Sequence, residues 1–133
     1  MTGPVWAARP LPLAPGLSEA VWQSRIVELA LHLRLQVHHE TDSRKTRKGW
    51  PDLAIAGPGG FVVAELKTDN DARSKPTPEQ QAWLDALTAA DVRAYLWRPR
   101  HWDYVYALLL HLAHPNRHRD PATDPAFPQE QRP

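Results

Sequence analysis

Apolar residues recur along this chain with two periods, and each change of period marks a change of element. From Ser18, a good N-cap, to about Leu33, the positions Trp22, Gln23, Ile26, Leu29, Ala30 and Leu33 share one face at ~100° per residue. That spacing predicts a helix with those residues buried, and Glu28 opposite them beside Arg25 and His32. Leu35 to His39 reads as a short strand, followed by a polar stretch from Glu40 to Gly49. Leu53 to Ala56 and Phe61 to Lys67 are β-rich runs joined by Gly57-Pro58-Gly59-Gly60, a hairpin signal. After a second polar loop, Thr68 to Pro76, Thr77 caps a helix that has Pro78 at its first position and Gln80 three residues past the cap. That helix turns Trp83, Leu84 and Leu87 inward and stops near Ala90. Asp91 to Trp97 makes a fourth strand, and His101 to Ala113 a last helix with Trp102, Val105, Leu109 and Leu112 on one side. The order αβββαβα predicts an α/β fold, a mixed sheet flanked by helices.

Proline placement sets the domain limits. Nine of the 14 prolines lie before residue 17 or after residue 114. Proline donates to neither helix nor ladder, so residues 1–16 and 115–133 are expected to be proline-rich flanks, the second disordered. Residues 17–114 form the expected domain, and that piece alone is expected to melt close to the whole chain. At 133 residues, one core is what the length allows. A net charge of +1 gives no global field toward nucleic acid, so any such affinity must come from local patches. The absence of cysteine excludes disulfides and thiol catalysis and agrees with a cytoplasmic location. No apolar run approaches the ~18–20 residues of a membrane span, and the first twenty residues carry no signal-peptide core.

The hairpin carries the chemistry. A loop centred between Pro58 and Gly59 pairs Ala56 with Phe61 and, counting back, sets Asp52 opposite Glu65. Like charges so placed destabilise a sheet, and a divalent cation such as Mg²⁺ is the obvious compensation. Lys67 lies two residues beyond Glu65 and projects from the same face, where an ammonium can orient a metal-bound water or neutralise a phosphate. Glu19 sits on the inward stripe of the first helix, one turn before Trp22, although a carboxylate at a helix N-terminus is also favoured by the dipole alone. Gln80 is accounted for by a capping box.

Asp52, Glu65 and Lys67 in this arrangement resemble the PD-(D/E)xK nuclease superfamily. The resemblance is sharpest to its virus-type replication-repair nuclease branch, the VRR-NUC domain, in the small stand-alone form carried by bacteriophages. The matching text is Ser18-Glu19, His39 to Arg44, Gly49-Trp50-Pro51-Asp52-Leu53, Ala64-Glu65-Leu66-Lys67, Thr77-Pro78-Glu79-Gln80, Trp83 to Leu87 and Trp97-Arg98-Pro99. It spans about residues 18 to 112, the whole expected domain, and implies a restriction-endonuclease-like core.

The resemblance also implies a set of roles. Asp52, Glu65 and the Leu66 backbone carbonyl bind Mg²⁺ or Mn²⁺, Glu19 reaches the metal directly or through water, Lys67 assists the attacking water, and Gln80 lies beside the lysine. The implied activity is metal-dependent hydrolysis of DNA phosphodiesters, selective for branched or structured DNA such as Holliday junctions or flaps in phage replication, recombination or repair. The implied setting is the host cytoplasm, with a homodimer as the expected assembly because paired cuts need two sites. The alternative is a non-catalytic DNA-binding or assembly protein that keeps a degenerate nuclease fold. Asp91 departs from the family pattern, where a glycine often ends that helix.

Arg44, Lys45, Arg47 and Lys48 place four positive charges within five residues beside Trp50, and are the candidate DNA-phosphate contacts. Trp50 is expected to close the core over the hairpin rather than stack on a base. One of His38 and His39 should face the core, with His39 the nearer to substrate. His111, His114 and His118 have no cysteine or acidic partner in sequence to complete a zinc site.

Overall fold

The protein is described by a computed structural model covering residues 10–40 and 48–133. Arg44, Lys45 and Arg47, and the start of the N-terminal flank, lie outside the described residues. The elements follow the expected order: α1 (Glu19–His32), β1 (Gln36–His39), β2 (Leu53–Gly57), β3 (Gly60–Leu66), α2 (Pro78–Ala89), β4 (Arg93–Trp97) and α3 (Trp102–Ala113). The strands lie in the order β1-β2-β3-β4. The first three are antiparallel neighbours, while β4 runs parallel to β3 because α2 carries the chain back across the sheet.

Alternation along the strands divides the sheet into two faces. Leu53, Ile55, Val62, Ala64 and Leu66 point to one side, where they form the core with Trp22, Ile26 and Ala30 of α1 and Val105, Leu108, Leu109 and Leu112 of α3. Asp52, Val63, Glu65 and Lys67 alternate to the other side, the side of α2. The glycine hairpin seats against the end of α3: Gly59 N donates to the Leu112 carbonyl at 2.8 Å, and a Cβ on Gly59 would lie only 2.4 Å from the His111 carbonyl oxygen. Asp91 ends α2 in the left-handed region, φ +65°, a conformation that glycine takes without strain and aspartate tolerates. Among the described residues no helix is long and apolar enough to cross a membrane.

The C-terminal segment departs from expectation. It is not a loose tail, for it folds back over α3 and the β4 edge. Asp120 accepts two hydrogen bonds from Arg93, both at 3.0 Å. Phe127 meets Tyr104 edge to face with centroids 5.5 Å apart and packs on the core cluster, and Pro121 is buried. The cause lies in α3. Tyr104, Tyr106, Leu108 and Leu110 are buried as well as Val105, Leu109 and Leu112 of the expected stripe, with Trp102 partly so, so this helix is apolar nearly all round and needs a second cover. Prolines stop helices and ladders but do not stop packing. Leu13 of the N-terminal flank also packs against the core. Phe127→Ala is therefore expected to cost ~1–3 kcal/mol, and removal of residues 115–133 more, as loss of melting temperature in calorimetry. Unchanged melting in both would return the tail to the role of a dispensable flank.

Candidate active site

The hairpin register is the expected one, with Ala56 against Phe61 and Leu53 against Ala64 as the last ladder pair toward the open end. One residue further, Asp52 turns back on β3: its Oδ2 accepts from the Leu66 N–H at 2.9 Å. Glu65, only 2% exposed, lies beside it in the α2-side face. Gln80 at the start of α2 donates from Nε2 to Glu65 Oε1 at 3.1 Å. The same Gln80 side chain closes the capping box, its Oε1 accepting from Thr77 N at 2.8 Å. Cap and site contact are thus two ends of one amide.

Glu65 Oε2 is buried without a hydrogen-bond partner. Burial, a proton that Glu65 can share with the Asp52 carboxyl only when protonated, and repulsion from the Asp52 charge push the Glu65 pKa up from the usual 4.5 to about 9, against the opposing pull of Lys67. With both carboxyls ionised neither can donate to the other, and the pair needs either a proton or a cation. Among the described residues no set of three or more His, Asp or Glu forms a metal cage. Two carboxylates beside an unpartnered oxygen still fit a hard divalent cation of the Mg²⁺ class, which uses one or two protein carboxylates and fills its remaining positions with water or phosphate oxygens.

Lys67 is held at the rim, 9% exposed, with Nζ 3.8 Å from Glu19 Oε1. Glu19 is not buried as its helical phase implied: its side chain is 50% exposed, one turn before the buried Trp22. It still faces the site and not solvent alone. Glu28, by contrast, pairs with Arg25 at 3.3 Å on the outer face, as the phase required.

The strand β2 is entered through Gly49, whose φ of +93° and close seat against the first turn of α2 leave no room for a side chain; an added Cβ would lie 2.5 Å from the Glu79 carbonyl carbon. Lys48 Nζ, beside it, pairs with Glu79 Oε1 at 3.4 Å, and the Glu79 carboxyl is held below its usual pKa first by its own backbone N–H and then by that lysine. Trp50, half-buried, packs edge to face on Trp83 of α2 with centroids 4.9 Å apart, outside the core cluster it was expected to close. His39 shares the core-side face with Leu53, and its Nδ1 is buried without a partner. His111 reaches Asp120 at 3.9 Å and the His118 carbonyl at 2.8 Å, far along the chain from the hairpin and within the tail contact.

Sequence reasoning missed the residues that hold Lys67 from behind. The Trp97 carbonyl accepts from both Lys67 N, at 3.0 Å, and Trp22 Nε1, at 3.1 Å, tying α1 and β3 to one atom of β4. Arg98 and Ser74 grip Thr68, the next residue. The signal was the Trp97-Arg98 pair closing a strand, where a charged residue follows a core aromatic.

No family model matches the sequence, and no curated protein does. Solved structures that resemble the fold include the following two. One, described as "VRR_NUC domain protein", is 22% identical over 62% of this chain and 78% of its own, with a TM-score of 0.48. The other, described as "VRR_NUC domain", is 22% identical over 70% of this chain and 95% of its own, with a TM-score of 0.52. The second alignment takes in nearly all of its partner, and together with the mixed four-stranded sheet and its flanking helices it gives this chain the fold of a VRR_NUC domain.

Proposed function

We propose that this protein is an Mg²⁺- or Mn²⁺-dependent DNA endonuclease that hydrolyses phosphodiester bonds in branched or structured DNA, such as junctions and flaps. The observation that carries the reading is the facing pair Asp52 and Glu65, the glutamate buried and the aspartate partly so, with one Glu65 oxygen unpartnered and Lys67 on the same face of β3. Asp52, Glu65 and the Leu66 carbonyl would hold the cation, with Glu19 reaching it directly or through water. When bound, such an ion offsets charge on phosphate oxygens and lowers the pKa of a coordinated water. The chain's own residues do the rest. Gln80 fixes one oxygen of Glu65 and so leaves the other free to turn toward the pair's shared charge. Leu66 N–H fixes Asp52 in the same way. Lys67, steadied by Glu19, presents its ammonium to the attacking water or to a phosphate oxygen.

Arg44, Lys45, Arg47 and Lys48 lead directly into Gly49-Trp50-Pro51-Asp52 and supply phosphate contacts that position DNA without reading bases. A homodimer would make paired cuts across a symmetric junction, and the cytoplasm of a phage-infected host is the setting that fits such a substrate. The shared VRR_NUC fold supports the nuclease class. The test is cleavage of a labelled synthetic four-way junction beside a linear duplex of the same sequence. Nicking of the junction that needs Mg²⁺ or Mn²⁺ and exceeds that of the duplex is expected. Binding of the junction with no cleavage under either ion would favour a DNA-binding protein on a nuclease fold.

A further inference from the structure

Arg98 is buried, 6% exposed, at the point where β4 ends. A buried guanidinium is costly unless its donors are met, so the groups that meet them show what it holds. One arm donates to the Thr68 carbonyl, the residue after Lys67. Its Nε lies 3.4 Å from Asp71, whose side chain is 65% exposed and is bound more closely by Arg100, at 2.7 Å. The Arg98 backbone N–H donates to His101 Nδ1 at 3.0 Å, which fixes where the side chain starts. Burial, with Arg100 nearby, lowers the His101 pKa and keeps that nitrogen an acceptor.

Lys67 stands one residue beyond the last β3–β4 pair, Leu66 with Trp97. No ladder continues past it. Its backbone direction is set by the Trp97 carbonyl on its own N–H and by two grips on Thr68: Ser74 Oγ, which accepts from Thr68 N at 2.9 Å, and Arg98. Of these, Arg98 alone is charged and buried. We propose that Arg98 is a positioning residue for Lys67, fixing the chain just past the strand so that the ammonium stays aimed at the Asp52–Glu65 pair. The inference rests on the nuclease reading above. It assigns Arg98 no contact with DNA or cation, and it makes the exposed Asp71 a secondary partner.

The test is single-turnover cleavage of a labelled four-way junction by the full chain and by Arg98→Lys, Arg98→Ala and Asp71→Asn, beside calorimetric Mn²⁺ titration and amide hydrogen exchange. Arg98→Lys keeps the charge but loses the planar fork. Both Arg98 variants are expected to slow cleavage by about 10–100-fold, the scale for misplacing a catalytic group, with half-saturation by DNA and the Mn²⁺ titration unchanged. Added guanidinium should restore part of the Arg98→Ala rate and none of the Lys67→Met rate. The Lys67 amide should exchange faster in both Arg98 variants while Val63 stays protected, and Asp71→Asn should cleave like the parent. Parent-like cleavage by Arg98→Lys, a loss seen wholly in half-saturation, or failure of both Arg98 variants to fold would each overturn the proposal. A parent chain that cleaves nothing would instead overturn the nuclease reading, while unchanged Lys67 exchange in the Arg98 variants would overturn this inference whatever the activity.

Discussion

Lys67→Met is expected to bind DNA and Mn²⁺ like the parent and to turn over ~10²–10⁴-fold more slowly, the range for losing one positioned catalytic group. Methionine fills the same space and removes only the charge, so the fold around the rim should stand. Asp52→Asn and Glu65→Gln should instead lose both Mn²⁺ binding and cleavage, since each removes half of the facing pair. Glu19→Gln should cost less, because its side chain is half exposed and lies 3.8 Å from Lys67, outside the Asp52–Glu65 pair. Glu28→Gln should cost nothing, because that carboxylate is on the outer face of the same helix with Arg25. Single-turnover cleavage of a four-way junction by these variants, beside calorimetric Mn²⁺ titration, reads all of them. If Asp52→Asn and Lys67→Met both cleave like the parent, the open end of the hairpin is not an active site.

What the sequence made legible was local and periodic. Gly57-Pro58-Gly59-Gly60 leaves one tight way to turn, and that fixed the register that sets Asp52 and Glu65 side by side. The phase of α1 sent Glu28 outward, where it pairs with Arg25, and Glu19 onto the buried stripe, where it instead lies half exposed within reach of Lys67. Helical phase gives a direction and not a depth, so the half-exposed state of Glu19 was not readable. Gln80 was read as either cap or site residue, and an amide has two ends that serve both. The tail was misread because proline content reports on secondary structure and not on packing. The counter-signal was present in Tyr104, Tyr106, Leu108 and Leu110, which make α3 too apolar to be covered on one side only. Arg98 escaped because its role depends on Thr68, thirty residues away in sequence and adjacent only once β3 and β4 run parallel.

Stability of the metal-free protein is expected to fall as pH rises above neutrality, and to do so because of Glu65. In the unfolded chain this carboxyl loses its proton near the usual 4.5; in the folded protein burial, then Asp52, hold the proton on until about 9. Between those values the folded state binds the extra proton. Its contribution to stability is therefore complete below the unfolded pKa, shrinks with each unit above it, and is gone once pH passes the folded one. The slope is at most ~1.4 kcal/mol per pH unit for one such group. His101 and His118, whose pKa values burial lowers from 6.5, make stability rise with pH instead, but mainly below 6.5, and above pH 7 they leave only a small slope that fades within about one unit. The lowered carboxyls Asp71, Glu79 and Asp120 act only in acid. Thermal melting in chelator from about pH 7 to 8.5 isolates Glu65, and a loss of about 2 kcal/mol across that window is expected. Glu65→Gln should abolish the slope and melt higher than the parent at the alkaline end, since it removes a buried charge that faces another. Saturating Mn²⁺ should flatten the parent's slope by taking the proton's place between the two carboxylates. A parent chain whose melting in chelator is flat and matches Glu65→Gln throughout would mean that the pair does not share a proton, and the argument that it waits for a cation would lose its physical basis.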